Sequence, residues 1–209
     1  MEKTLKIHCL KLGQLQTNCY IVSNKNNCII IDPGDSPETI IDFLSFNKLT
    51  LEAIIATHGH FDHIMAIGTM QLCLNSLKFF IDEEDTFLLK RMKETAKYFL
   101  DFCPDLIEPV NHLPIQKSLG FKTCTIETIK TPGHTPGSCS FYIPDEKIVF
   151  TGDTLFAGGY GRTDFSYSDD KKLKNSIKEI LDLPIDTIIY SGHGEATTVE
   201  VEKNIYENI

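Results

Sequence analysis

At 209 residues the chain is long enough for one domain with a core of its own. A formal net charge of −9, with no basic run to offset it, excludes a surface built to hold nucleic acid. Seven cysteines, odd in number and without a Cys-x-x-Cys pair, exclude a disulfide framework and a zinc ribbon.

Strand-like segments follow one another quickly from the amino end: Leu5 to Leu12, Thr17 to Ser23 and Asn27 to Ile31, separated by Gly13 and by Asn24-Lys25-Asn26. The turn Asp32-Pro33-Gly34-Asp35-Ser36-Pro37 stops the third strand and starts a helix carrying Ile40, Ile41, Phe43 and Leu44. A strand from Glu52 to Thr57 runs into Thr57-His58-Gly59-His60-Phe61-Asp62-His63, and a helical pattern resumes after it, so Asp62 stands where helix-start N–H groups favour a carboxylate. Asp82 to Cys103 reads as a helix, and the stretch at about 82–112 is a candidate helical insertion in a chain otherwise expected to form one domain over residues 1–209. Its Phe87, Met92, Tyr98 and Phe99 are expected to wall the site or to form a subunit contact.

From Lys122 the strand pattern returns, through Ser138 to Ile143, Lys147 to Thr151 and Asp186 to Tyr190. Between the last two, Leu173, Ile177, Ile180 and Leu181 form a helical stripe over Asp170 to Leu181. Thr197-Thr198-Val199-Glu200 reads as a capping box opening a short last helix. Strands, a helix, strands and a helix again predict an α/β fold of two mixed sheets packed face to face and flanked by helices. Met1-Glu2-Lys3-Thr4 leads straight into strand-like sequence and no run has the length of a membrane span, so a cytoplasmic location without membrane contact is expected.

The histidines are distributed unevenly. Three of seven fall in the stretch 58–63, and His134 and His193 sit in similar Gly-containing turns at the ends of apolar, β-branched runs. Asp153 occupies a fourth such turn, in Thr151-Gly152-Asp153. Imidazole and carboxylate converging from several strand ends form a metal site. His8 and His112 lack such company and are read as ordinary polar residues, Cys139 as core, and Asp32 as a turn or supporting residue.

The ordered set His58-x-His60-x-Asp62-His63, His134, Asp153 and His193 resembles the metallo-β-lactamase superfamily, most closely its compact glyoxalase II-like hydrolases. Thr17-Asn18-Cys19-Tyr20, Ile31-Asp32-Pro33-Gly34, Thr131 to Ser138 and Gly152-Asp153-Thr154-Leu155-Phe156 extend the likeness over nearly the whole chain. The resemblance implies a four-layer αββα sandwich and a dinuclear centre. One metal would sit on His58, His60 and His134, the other on Asp62, His63 and His193, with Asp153 bridging and Asp62 also orienting the hydroxide shared by the two ions. Zinc is the metal implied, with iron or manganese as alternatives. The activity implied is hydrolysis of a small-molecule acyl thiolester, by a monomer or homodimer. Aspartate at 153 sets the chain apart from the usual two-zinc β-lactamases, and with only Gly194 to Ile209 after the last ligand, no counterpart of the helical domain that binds glutathione in longer glyoxalase II enzymes is expected.

Arg162, in Gly158-Gly159-Tyr160-Gly161-Arg162-Thr163-Asp164, stands where the family places a basic substrate contact, and Tyr160 is a second candidate. An Arg162 to Asp164 salt bridge is the competing reading. Competing activities on the same scaffold are a mononuclear-iron persulfide dioxygenase, hydrolysis of another ester or a lactone, and a non-catalytic metal-binding module.

Overall fold

The computed structural model describes residues 5–74, 76–101 and 105–206. One sheet takes the first half of the chain. Strands β1 (Lys6–Leu12), β2 (Thr17–Asn24), β3 (Asn27–Ile31), β4 (Thr50–Ile55), β5 (Phe79–Ile81) and β6 (His112–Pro114) lie side by side in that order. The first three are antiparallel, as short turns require, and β3 to β6 are parallel, reached through helical crossovers. The second sheet runs β14 (Thr197–Thr198), β13 (Ile188–Ser191), β10 (Ile148–Gly152), β9 (Cys139–Ile143), β8 (Thr125–Lys130) and β7 (Ser118–Gly120), with one parallel pair, β10 and β13. A hairpin of β11 (Leu155–Phe156) and β12 (Gly159–Tyr160) stands beside it.

Alternation along the strands builds the layers. Ile21, Cys28, Ile30 and Ile54 pack on one side of the first sheet against helices α1 (Pro37–Phe46), α2 (Phe61–Cys73) and α3 (Thr86–Leu100). Val22, Ile29, Ile31 and Ile55 face the other way and meet Phe141, Ile143, Ile148 and Phe150 of the second sheet. Val149, Tyr142 and Ile189 turn outward under α4 (Asp170–Leu181) and α5 (Val199–Ile205). The result is the four-layer αββα arrangement. Because both faces are covered, these strands read as continuous apolar runs, and each fully buried isoleucine contributes about 1.5–3 kcal/mol.

Three expectations shift. The stretch after α2 supplies more than a helix: α3 packs on α2 through Leu89, Met92 and Ala96, and His112 opens the edge strand β6. Met92 is therefore core, neither site wall nor contact surface. The last helix is capped one residue later than the sequence suggests, with Val201 N–H donating to Thr198 Oγ1, while Glu202 rather than Glu200 folds back to accept from Thr197 and from Gly158 N–H. The predicted end of the third helix at Cys103 lies outside the described residues. None of the described helices is long and apolar enough to cross a membrane.

Candidate metal centre

Four turns deliver the candidate ligands, each at the carboxyl end of a strand: β4 leads to His58, His60, Asp62 and His63, β8 to His134, β10 to Asp153 and β13 to His193. The first turn belongs to one sheet and the other three to its partner, so the centre straddles the seam. Backbone bonds hold that seam: Cys139 N–H donates to the Thr57 carbonyl (2.8 Å) and Asn18 N–H to the Gly192 carbonyl (2.8 Å). The Asn18 side chain donates to Ser191 and Gly194 carbonyls, and the Tyr20 hydroxyl to Ser191, which explains the Thr17-Asn18-Cys19-Tyr20 motif. Gly192 must be glycine, since a Cβ there would run into the Asp153 carboxylate and stand 2.7 Å from His63 Cε1.

All seven side chains converge. His58 Nε2 lies 3.1 Å and His134 Nε2 2.9 Å from His60 Nδ1. In a tetrahedral site with metal–nitrogen bonds of about 2.0–2.1 Å, ligand nitrogens stand about 3.3 Å apart, so these three are spaced to share one ion. A second set joins Asp62 Oδ2 to His193 Nε2 (3.3 Å) and His63 Nε2 (3.7 Å). Asp153 reaches both sets, with Oδ1 3.4 Å from His63 Nε2 and Oδ2 3.6 Å from His134 Nε2.

Proton accounting shows which nitrogens are free to bind. His134 Nδ1 donates to the Arg162 carbonyl (2.8 Å), His193 Nδ1 to the Leu15 carbonyl (3.1 Å) and His63 Nδ1 to Asp32 Oδ2 (2.9 Å). Thr57 Oγ1 donates to Asp32 Oδ2 (2.6 Å) and so accepts from His58 Nδ1 (3.0 Å). His60 faces the other way round, its Nε2 on the Tyr167 hydroxyl at 2.8 Å. Each of the five clustered histidines is thus held by its outer nitrogen, leaving a lone pair aimed inward. His63 Nε2 and Asp153 Oδ1 are buried without any hydrogen-bond partner, a costly arrangement for polar atoms that a cation between them would satisfy. The residues fit two divalent ions. Asp32, also near His58 and His63, is engaged by Thr57 N–H, Thr57 Oγ1 and His63, as a supporting residue would be. It holds a left-handed backbone (φ 53°) to do so.

Electrostatics divides the two sets. Burial, then repulsion from His63 and His60, holds His58 well below the ordinary imidazole range, and burial with His134 lowers His60 to about 3. At His63 and His193 burial also acts downward, but Asp62 and Asp153 outweigh it and raise both. Burial opposes ionisation of Asp153, yet His63 and His134 keep it well below the usual carboxylate range. A histidine with a raised pKa takes up a proton as pH falls through that value and then competes with a cation. Zinc titrations between about pH 8 and pH 5 are expected to show weakening affinity at Asp62, His63 and His193, while His58 and His60 take up no protons. Equal pH dependence at both sets would contradict this division.

Not every candidate joins the cluster. The Arg162 side chain forms a two-pronged pair with Asp164 (2.6 Å for each prong) and lies over the Phe165 ring at 4.6 Å, on the rim of the cavity beside the ligands. Its carbonyl, rather than its charge, touches the centre. Tyr160 packs against Tyr206 (6.0 Å between centroids) and is not among the residues lining that cavity. Cys139 is buried in the inter-sheet core, His8 packs on Phe43, and His112 is exposed on an edge strand. Of the helix aromatics, Phe99 lines the cavity, Phe87 packs on Tyr167, and Tyr98 is exposed.

Sequence reasoning missed Asp85. Its fully buried carboxylate accepts from Gly59 N–H (2.8 Å), Gly137 N–H (2.7 Å) and Thr135 Oγ1 (2.7 Å). One side chain thereby clips the His58-Gly59-His60 turn to the turn around His134. In the acidic run Asp82-Glu83-Glu84-Asp85 nothing in the sequence separates it from the exposed Glu83 and Glu84 except its place just before the apolar face of α3.

A model of the Metallo-beta-lactamase superfamily matches residues 12–193, nearly the whole chain. The chain belongs to this superfamily. It is 36% identical over 206 residues to the hydroxyacylglutathione hydrolase GloC of Haemophilus influenzae, covering 95% of each chain. Among solved structures it is similar to the BLEG-1 B3 metallo-beta-lactamase (35% identity, TM-score 0.88, 95% of this chain and 97% of that one). It is similar also to TTHA1623, solved in a di-iron-bound form (32% identity, TM-score 0.87, 95% and 98%). Membership and the clustered donors make the protein a metallo-hydrolase of this superfamily.

Proposed function

We propose that the protein hydrolyses acyl thiolesters at a two-metal centre. The observation that carries the reading is the pair of three-donor sets joined by Asp153, supported by full-length likeness to a hydroxyacylglutathione hydrolase. Two divalent cations bound there would supply a water of lowered pKa and polarisation of a carbonyl. The chain supplies the rest. His58, His60 and His134 would hold one ion and Asp62, His63 and His193 the other, with one oxygen of Asp153 toward each set. Asp62, kept ionised against its burial chiefly by His63, orients the attacking water as an acceptor. No serine or cysteine lines the cavity among the described residues, in keeping with direct attack by water rather than a covalent acyl-enzyme. A thiolester suits such a site because its thiol leaves as a thiolate with a pKa of roughly 8.5, without a strong general acid.

Likeness to BLEG-1 favours β-lactam hydrolysis as the second reading. The test is a panel on metal-analysed protein: lactoylglutathione, a simpler thiolester, a lactone, a β-lactam and a persulfide. Two ions per chain with thiolester cleavage that chelation abolishes and metal restores is the expected result. Preferred β-lactam cleavage, or a single iron with oxygen uptake on the persulfide, would overturn it. TTHA1623 makes iron a real competitor to zinc, so the metals are quantified first.

A further inference from the structure

Beside the ligands lies a cup of about 120 Å³, lined by Leu15, Phe61, Thr95, Phe99, Arg162 and Phe165 together with His60, Asp62, His134 and Asp153. Its aromatic wall is continuous with the metal centre. Phe165 packs edge-on against His60 (5.2 Å) and His134 (6.2 Å), then meets Phe99 (6.5 Å), which stacks on Phe61 (5.9 Å, 20° between planes). The one cation on this lining is already matched by its own Asp164 and lies on Phe165. Away from the ligands, then, the cup offers aromatic faces and no unmatched charge.

Resting on the thiolester reading, we propose that this cup takes the acyl end of the substrate and that the acyl group is apolar, an aryl or branched chain. Size separates the two ends of a thiolester. An apolar cavity of about 150 Å³ accommodates a benzene ring, whereas larger ligands occupy about 300–1,000 Å³. A cup of 120 Å³ therefore suits the group that terminates beyond the carbonyl, and a bulky thiol carrier must lead outward to solvent. Aromatic walls reward an apolar end through burial and through edge and face contacts. A short hydroxylated acyl group buries less apolar surface against Phe61, Phe99 and Phe165 than an aryl or branched one.

The experiment compares phenylacetyl and acetyl thiolesters of the same thiol, N-acetylcysteamine, on the two-metal protein, and measures by calorimetry the binding of the corresponding non-hydrolysable phenethyl thioether. The phenylacetyl ester is expected to show a kcat/KM about tenfold above the acetyl ester. Phe99→Ala should shrink that ratio about tenfold, and the milder Phe99→Leu should shrink it less, so a folding defect that lowers both rates equally is told apart. A wild-type ratio at or below one, or a ratio unmoved by Phe99→Ala, overturns the acyl cup. If neither ester is cleaved while the thioether binds and Phe99→Ala weakens it, the cup stands and the hydrolase reading falls. Failure of the thioether to bind removes the cup whatever the rates.

Discussion

Asp153→Asn is expected to leave the fold intact and to lower turnover at least about 10²–10³-fold, with metal content falling below two per chain. Asparagine matches aspartate in volume, so the turn after β10 keeps its packing. The chemistry does not survive. Asp153 Oδ1 faces His63 Nε2 and Oδ2 faces His134 Nε2, one oxygen toward each set of donors. Whichever way the amide is turned, an N–H donor replaces a lone pair on one side and the negative charge is gone from both. Elemental analysis and circular dichroism on the same samples check the two halves of the expectation. His8→Ala, which removes a ring packed on Phe43 on the far side of β1, should keep both metals and full turnover. An Asp153→Asn protein with two ions and unchanged turnover would remove aspartate 153 from the bridging position.

For Asp85→Ala the expected loss is larger in stability. Gly59 N–H, Gly137 N–H and the Thr135 hydroxyl would all lose their acceptor inside a dry region, and a buried unsatisfied donor costs about 1–3 kcal/mol. A net loss of about 3 kcal/mol lowers the melting temperature of a chain this size by roughly 6–12 °C. Burial raises the Asp85 pKa against the pull of Thr135, Gly137 and Gly59. The clip also has a more specific consequence. Binding of zinc at His58, His60 and His134 should weaken about 10–100-fold while the set of Asp62, His63 and His193 changes much less, because Asp85 holds Gly59, between His58 and His60, and the turn around His134, whereas Asp62 and His63 stand in α2. Zinc titration of folded protein below its melting transition separates this from general loosening. Wild-type melting and wild-type affinity would show that the clip is redundant.

What the amino-acid sequence discloses follows from where the chemistry resides. Histidines 58, 60, 63, 134 and 193 stand out because the residue is scarce here and each sits after an apolar run, a pattern that reflects the strand ends themselves. The strands of the inter-sheet core are long enough to show their composition. Phe79 to Ile81, His112 to Pro114 and Ser118 to Gly120 are not: three residues cannot display a period, and their pairing is decided by the sheet edge they complete. Asp85, Tyr167 and the carbonyls of Leu15 and Arg162 were invisible for another reason. Their partners lie far along the chain and several are backbone atoms, which a sequence does not distinguish from any others. At Arg162 the sequence offers either a substrate contact or a pair with Asp164; the structure has the pair, and what the sequence does not disclose is the Arg162 peptide oxygen on His134.

Each sheet is woven from an unbroken half of the chain, residues 6–114 and residues 118–198, and the metal donors are divided between them. Each half completes its own hydrogen-bond ladder, and the centre exists only once the halves have docked. Ion binding is therefore thermodynamically coupled to that docking. Whatever loosens the contact of Ile29 and Ile31 with Phe141 and Phe150 must weaken the hold on the ions, and whatever strengthens the hold must tighten the seam by the same free energy.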